Sequence, residues 1–221
     1  MSSGITINFV NQSNQDTPID VVVYNVNNND SFDSLSLAWV VFKDSNPGDS
    51  GSIFYPTNGI VQASFNDGGA TQNTALWPVE NGSAYAVKET STGITIVLNG
   101  NAAAGDEVDV LNDLTAQEIG VTYYTGPNAP LAQQSNIPPQ SKAVFELLPR
   151  LWFGVAQGIV QGEAINTAVL NVETKFDLTN VASCTITLTG GGTSGPYVFT
   201  QSNMVYDSSA ASAEHAAAHA A

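Results

Sequence analysis

The chain has 221 residues, 43% hydrophobic and 11% charged, with 20 acids against five bases and a formal net charge of −15. That length buries a full core without disulfides or metal, and the single cysteine, Cys184, excludes an intramolecular disulfide framework. Lys43, Lys88, Lys142, Arg150 and Lys175 are scattered and form no cationic stripe, which argues against nucleic acid and against an anionic membrane surface as partners.

The opening "MSSGITINFVNQSN" has no basic region and no long apolar run, so no secretory signal peptide is expected. The expectation is a cytoplasmic protein or one exported without a leader, with the sequons at Asn11, Asn29 and Asn81 acting only as Asn-rich loops. No stretch reaches the length of a membrane-spanning helix. The high negative charge favours solubility.

Period-two alternation then dominates. "ITINFV" puts Ile5, Ile7 and Phe9 on one face; "IDVVVYNV" is a β-branched run after Pro18; "LSLAWVVFK" alternates Leu35, Leu37 and Trp39 before turning continuously apolar. Further strands are predicted at "SIFYP", "IVQASF", "AYAVKE", "ITIVLNG", "EVDVLN", "IGVTYY", "KAVFELLP", "CTITLTG" and "PYVFTQ". Short strands punctuated by Gly, Pro, Asn and Asp, without amphipathic helices between them, predict an all-β protein. The expected architecture is an antiparallel β-sandwich over 1–207 with at most one or two short helices.

"AVFELLPRLWFGVAQG" (143–158) is the most apolar stretch and carries the only arginine. As a helix it would hold Pro149 in its interior, at a cost of about 3 kcal/mol or more. Two strands meeting at "LPR" fit better, with Leu151, Phe153 and Val155 facing the core opposite Trp152. In "GIVQGEAINTAVLNVETKF" (158–176), a short helix over the sheets and a strand are equally compatible with the apolar spacing.

Two segments echo each other. "FVNQSNQDTPIDVVVY" (9–24) and "VLNDLTAQEIGVTYY" (110–124) both run through Asn, a polar turn, and Ile-x-Val ending in Tyr. With "NGNAAAGDE" (99–107) as a linker, they raise the prospect of two related β units, 1–100 and 105–207, beside the simpler reading of one domain. The Ala-rich segment 208–221 reads as an appended purification tail and is set aside.

That tail holds both histidines, His215 and His219, so the body has none and offers no Ser–His–Asp or Cys–His machinery. Cys184 reads as a buried small hydrophobe on the face of Ile186 and Leu188. "GGGTSG" (190–195) satisfies G-x-G-x-x-G formally, but "PYVFT" follows where a dinucleotide site needs a helix, so it reads as a hairpin connection. Three acidic loops offer oxygen ligands for Ca²⁺: Asp30 and Asp33, Asp44 and Asp49, and Asp106 and Asp109.

The expectation for function is a non-catalytic interaction or structural protein that binds its own copies or another protein, because neutral strand edges invite edge pairing. The alternative is a lectin-like, carbohydrate-binding module, calcium-assisted or not, with Trp39, Trp77, Tyr123, Tyr124 and Trp152 as the binding aromatics. A hydrolase built on two carboxylates and a pore-forming toxin are the minor alternatives.

Overall fold

The computed structural model describes residues 4–29 and 32–207. Among them, eighteen strands form four sheets, joined by two single-turn 3-10 segments, Thr167–Val169 and Gly192–Ser194. The protein is all-β and sandwich-like, as the alternation predicts. No helix among the described residues is long and apolar enough to cross a membrane.

Sheet A runs β18 (Val198–Tyr206), β17 (Val181–Thr189), β1 (Gly4–Asn11), β5 (Ser50–Pro56). Sheet B runs β16 (Val172–Asp177), β15 (Arg150–Ala156), β2 (Ile19–Asn25), β4 (Val40–Ser45). Aromatic pairs close these two on each other: Phe9 stacks on Phe42 at 4.6 Å and Phe153 meets Phe199 at 5.9 Å. Sheet C runs β3 (Asp33–Ser36), β13 (Ala129–Ile137), β12 (Ile119–Gly126), β6 (Gly59–Asp67), β7 (Ala70–Asn73), with β8 (Trp77–Val79) also on β6. Sheet D runs β10 (Gly93–Asn101), β9 (Ser83–Thr90), β11 (Val108–Asn112), β14 (Lys142–Phe145). Tyr123 of sheet C packs on Phe145 of sheet D at 5.6 Å, and one continuous core runs through both sandwiches.

The two sandwiches share a plan. Sheets A and D each centre on a parallel pair, β1 with β17 and β11 with β9, flanked by antiparallel strands. Asn11 ends β1 opposite Leu188, and Asn112 ends β11 opposite Val87; both the asparagines and their partners are 101 residues apart. The local bonds repeat as well. Each asparagine accepts from the amide two residues on, Ser13 N at 3.0 Å and Leu114 N at 3.2 Å. Each backbone carbonyl accepts from a turn residue with positive φ, Gly48 or Gln140. The echo between 9–24 and 110–124 is therefore a structural repeat.

The repeats are not contiguous sandwiches. Strands β9 and β11 lie on either side of the proposed 99–107 linker and pair within sheet D, so the sheets do not divide there. Instead the first quarter of the chain (β1, β2, β4, β5) combines with the last (β15 to β18), and the second (β6, β7, β9, β10) with the third (β11 to β14). The order of strand types along the chain is that of a tandem duplication whose copies have exchanged halves.

Three local readings are corrected. "LSLAWVVFK" is not one strand: β3 and β4 belong to sheets C and B, and Leu37–Trp39 crosses between them while Trp39 turns into the core, 2% exposed. Strand β13 was concealed because "APLAQQSNI" exposes no clean alternation. The ambiguous 158–176 segment becomes an irregular strap with one 3-10 turn, followed by β16. Ile159, Ile165 and Leu170 of the strap pack on Val22, Tyr24 and Ala38 as a second, smaller core on the outside of sheet B. Residues 143–158 do form two strands, β14 and β15, that fill the core, and Arg150 pairs with Asp177 at 3.2 Å.

Candidate functional site

The binding aromatics expected from the sequence do not assemble on one face. Trp39 is buried, its indole Nε1–H donating to Thr125 Oγ1 at 2.5 Å and its ring edge-on to Tyr55 at 5.4 Å. Tyr123 is 6% exposed inside the core. Trp152 is half-buried on the outside of sheet B, stacked on Tyr24 and covered by the Lys175 ammonium at 5.0 Å. Tyr124 lies on the open outer face of sheet C, its hydroxyl donating to Gln62 Oε1 at 3.2 Å, and Trp77 is exposed on the short edge strand β8.

The acids expected to bind calcium are spread over separate elements. Asp30 lies outside the described residues. Asp33 accepts from the Asn136 side chain, and Asp49 from the Asn46 amide at 2.7 Å. Asp44 occupies a left-handed backbone position, with φ of 49°. Asp106 is exposed, whereas Asp109 is buried, with one oxygen on Lys142 Nζ at 2.5 Å and the other without a partner. Among the described residues no three His, Cys, Asp or Glu side chains group as a metal site.

Cys184 is buried, and that burial pushes its thiol up. The "GGGTSG" loop joins β17 to β18; Gly192 has φ of +55°, and a Cβ there would sit 2.4 Å from the Asn14 carbonyl oxygen.

Neutral strand edges are expected from the sequence, and the fold shows which edges they are. Sheet B is bordered by "VVFKDS" and "VETKFD", both charged. Sheet A is bordered by "SGSIFYP" and "VFTQSNMVY", and the free edge of sheet D opposite β14 is "GITIVLNGN"; none of these carries a charge. Strands β18 and β10 are nine residues each and occupy corresponding positions beside β17 and β9. Both expose apolar side chains: Val198, Met204, Val205 and Tyr206 on β18, Leu98 on β10. A bulge near Asn203, whose φ is +50°, interrupts β18 at one end only.

The outer face of sheet A continues this neutrality. Register aligns Ser202, Thr185, Asn8 and Ser52 in one row across the four strands, and Thr200, Thr187, Val10 and Ser50 in the next. Strands lie about 4.8 Å apart and same-face residues about 6.7 Å apart along a strand, so the hydroxyls form a grid. On a chain of net charge −15 this face is uncharged. Neutral edges and a hydroxyl-bearing face are surfaces that can approach another surface without desolvating an ion. Comparison with known proteins finds no matching family model, no matching curated protein and no matching solved structure.

Proposed function

We propose that this protein is a non-catalytic interaction protein that associates with further copies of itself through the edges of sheets A and D. The observation that carries the reading is the pair of long, uncharged edge strands, β18 and β10, at corresponding positions of the two sandwiches. An edge strand presents unpaired backbone donors and acceptors, and proteins that avoid pairing usually guard such edges with lysine, proline or very short strands. Two like edges on one chain support head-to-tail contacts, which extend into a chain of subunits unless the rotation closes a ring. The net charge of −15 opposes association at low ionic strength, so assembly should strengthen with salt.

Light scattering over a range of protein and salt concentrations tests this. The expected result is a mass that grows with both. Val97→Lys in β10 or Thr200→Lys in β18 should return the protein to monomer with an unchanged far-ultraviolet spectrum. A monomer at high concentration and high salt would sink the reading.

The neutral grid on sheet A favours a second reading, a lectin-like face for an uncharged glycan. A glycan array with and without a chelator separates it from self-association and tests the calcium expectation together.

A further inference from the structure

A cavity of about 350 Å³ opens where the two sandwiches meet. Its floor is Ile5, Tyr55, Tyr123, Leu178 and Val181, all buried. Its mouth is polar and exposed: Thr57, Asn81, Asn180 and Asp207. These residues come from both sandwiches, so the cavity is a feature of their junction.

The two floor tyrosines differ. The Tyr55 hydroxyl is fully used, accepting from Asn25 Nδ2 at 2.9 Å and donating to the Leu147 carbonyl at 3.2 Å. The Tyr123 side chain is more than nine-tenths buried, yet its hydroxyl has no hydrogen bond to any described residue. That hydroxyl is not among the fully enclosed polar atoms, so it opens onto the cavity it lines. The ring is fixed in place by Gly59, where a Cβ would sit 2.3 Å from the phenolic oxygen, and by Phe145 behind it. Buried hydroxyls without a partner are costly and uncommon, and a polar group of this kind on an apolar floor marks a place where a ligand completes the bonding.

We propose that this junction cavity is a binding site for a small, uncharged, single-ring molecule that offers a hydroxyl, ether or carbonyl oxygen to the Tyr123 hydroxyl. The volume lies at the lower end of the range for ligand pockets, which sets the size at one ring. Among the described residues no lysine or arginine lines the site, and Asp207 stands at its mouth, which selects against anions. Burial, and secondarily the nearby Tyr85, push Tyr123 up to about 12, so its phenol stays a hydrogen-bond donor at every physiological pH.

Trp39 supplies a reporter, since its indole N–H bonds to Thr125, which lines the cavity, and its ring touches Tyr55. In the full-length ¹⁵N-labelled protein, the Trp39 indole resonance, assigned with W77F and W152F, is followed during titration with cyclohexanol, methyl β-glucopyranoside and cyclohexanecarboxylate. The expected result is a saturable shift with at least one neutral ring and none with the carboxylate. Tyr123→Phe, which removes only the oxygen, should weaken binding about fivefold, the loss of one neutral hydrogen bond. Asn81→Trp, an exposed change at the mouth, should abolish it. The site is disproved if neither neutral ring gives a saturable shift, or if both variants bind like the parent.

Discussion

Strands β2 and β12 occupy the same place in the two sandwiches, and their outward faces share a tyrosine but differ in what covers them. On β2 the outward residues are Asp20, Val22 and Tyr24; on β12 they are Gly120, Thr122 and Tyr124. Val22 lies between Gly154 and Val41 beneath the strap, and a Cβ at Gly154 would come within 3.2 Å of a Leu170 methyl. Thr122 lies between Gln62 and Gln133 on an open face. Asp20 fastens the strap, accepting from Gly158 N at 2.9 Å, Lys43 Nζ at 2.9 Å and Asp44 N at 3.1 Å. The inner faces of both strands remain alike, with Val21 and Val23 matched by Val121 and Tyr123. The shared plan is thus held by the core and the turns, while the outer faces are free to be roofed or left bare.

The largest effects should fall on what the sandwiches share. Asn112 is fully buried and donates to the Gln117 and Ile137 carbonyls at 2.9 Å each while holding the Leu114 amide. Asn112→Ala should cost about 3 kcal/mol by equilibrium unfolding, because backbone groups lose their partners in a dry site. Asn11→Ala should cost nearly as much, since Asn11 bonds Ser45 Oγ, the Ser13 amide and the Ser13 hydroxyl. A cost below ~0.5 kcal/mol at either site would break the equivalence.

Next comes the contrast between the outer faces. Val22→Asn should destabilise by about 2.5 kcal/mol, as an amide is trapped under the strap without partners. Thr122→Asn should lie within about 0.5 kcal/mol of the parent. Similar values for the two variants would mean that the strap does not seal sheet B.

The last contrast is electrostatic. Burial alone would raise Asp20, but its bonds from Lys43 and from the Asp44 and Gly158 amides outweigh that and hold the carboxyl below the usual carboxylate range. A depressed folded-state value means that its stabilisation is complete above the unfolded value of about 3.9 and is lost as pH falls through the lower folded value. Asp20→Asn should therefore cost about 1.5 kcal/mol at pH 7. The gap from the parent should close below about pH 4. A gap independent of pH would show that the amide keeps the same bonds.

Much of this contrast was legible along the chain. "IDVVVYNV" is apolar without alternation, the mark of a strand covered on both sides, whereas "IGVTYY" alternates. The identity of the cover was not legible, because Ile159, Ile165 and Leu170 meet Val22 and Tyr24 only through long-range packing. The break at Leu37–Trp39 was hidden because apolar alternation runs straight through it. The exchange of halves was invisible for a deeper reason: a 101-residue spacing is the same whichever copy a strand joins. The junction cavity shared that fate, since Tyr55 and Tyr123 sit in different repeats and nothing local relates them. Acid-rich loops drew attention to calcium; of the described candidates, Asp33 and Asp49 accept hydrogen bonds from Asn136 and Asn46, and Asp109 pairs with Lys142.

The exchange of halves has a consequence during synthesis. By the time β10 leaves the ribosome, every strand type needed for one complete sandwich has been made, but β17, the parallel partner of β1, and β15, a partner of β2, are still untranslated. The nascent N-terminal half must either wait or close on itself and reopen later, and non-local partners of this kind slow folding. A pause near the middle of the message would therefore favour the wrong closure, and speed of elongation becomes part of what selects the native chain.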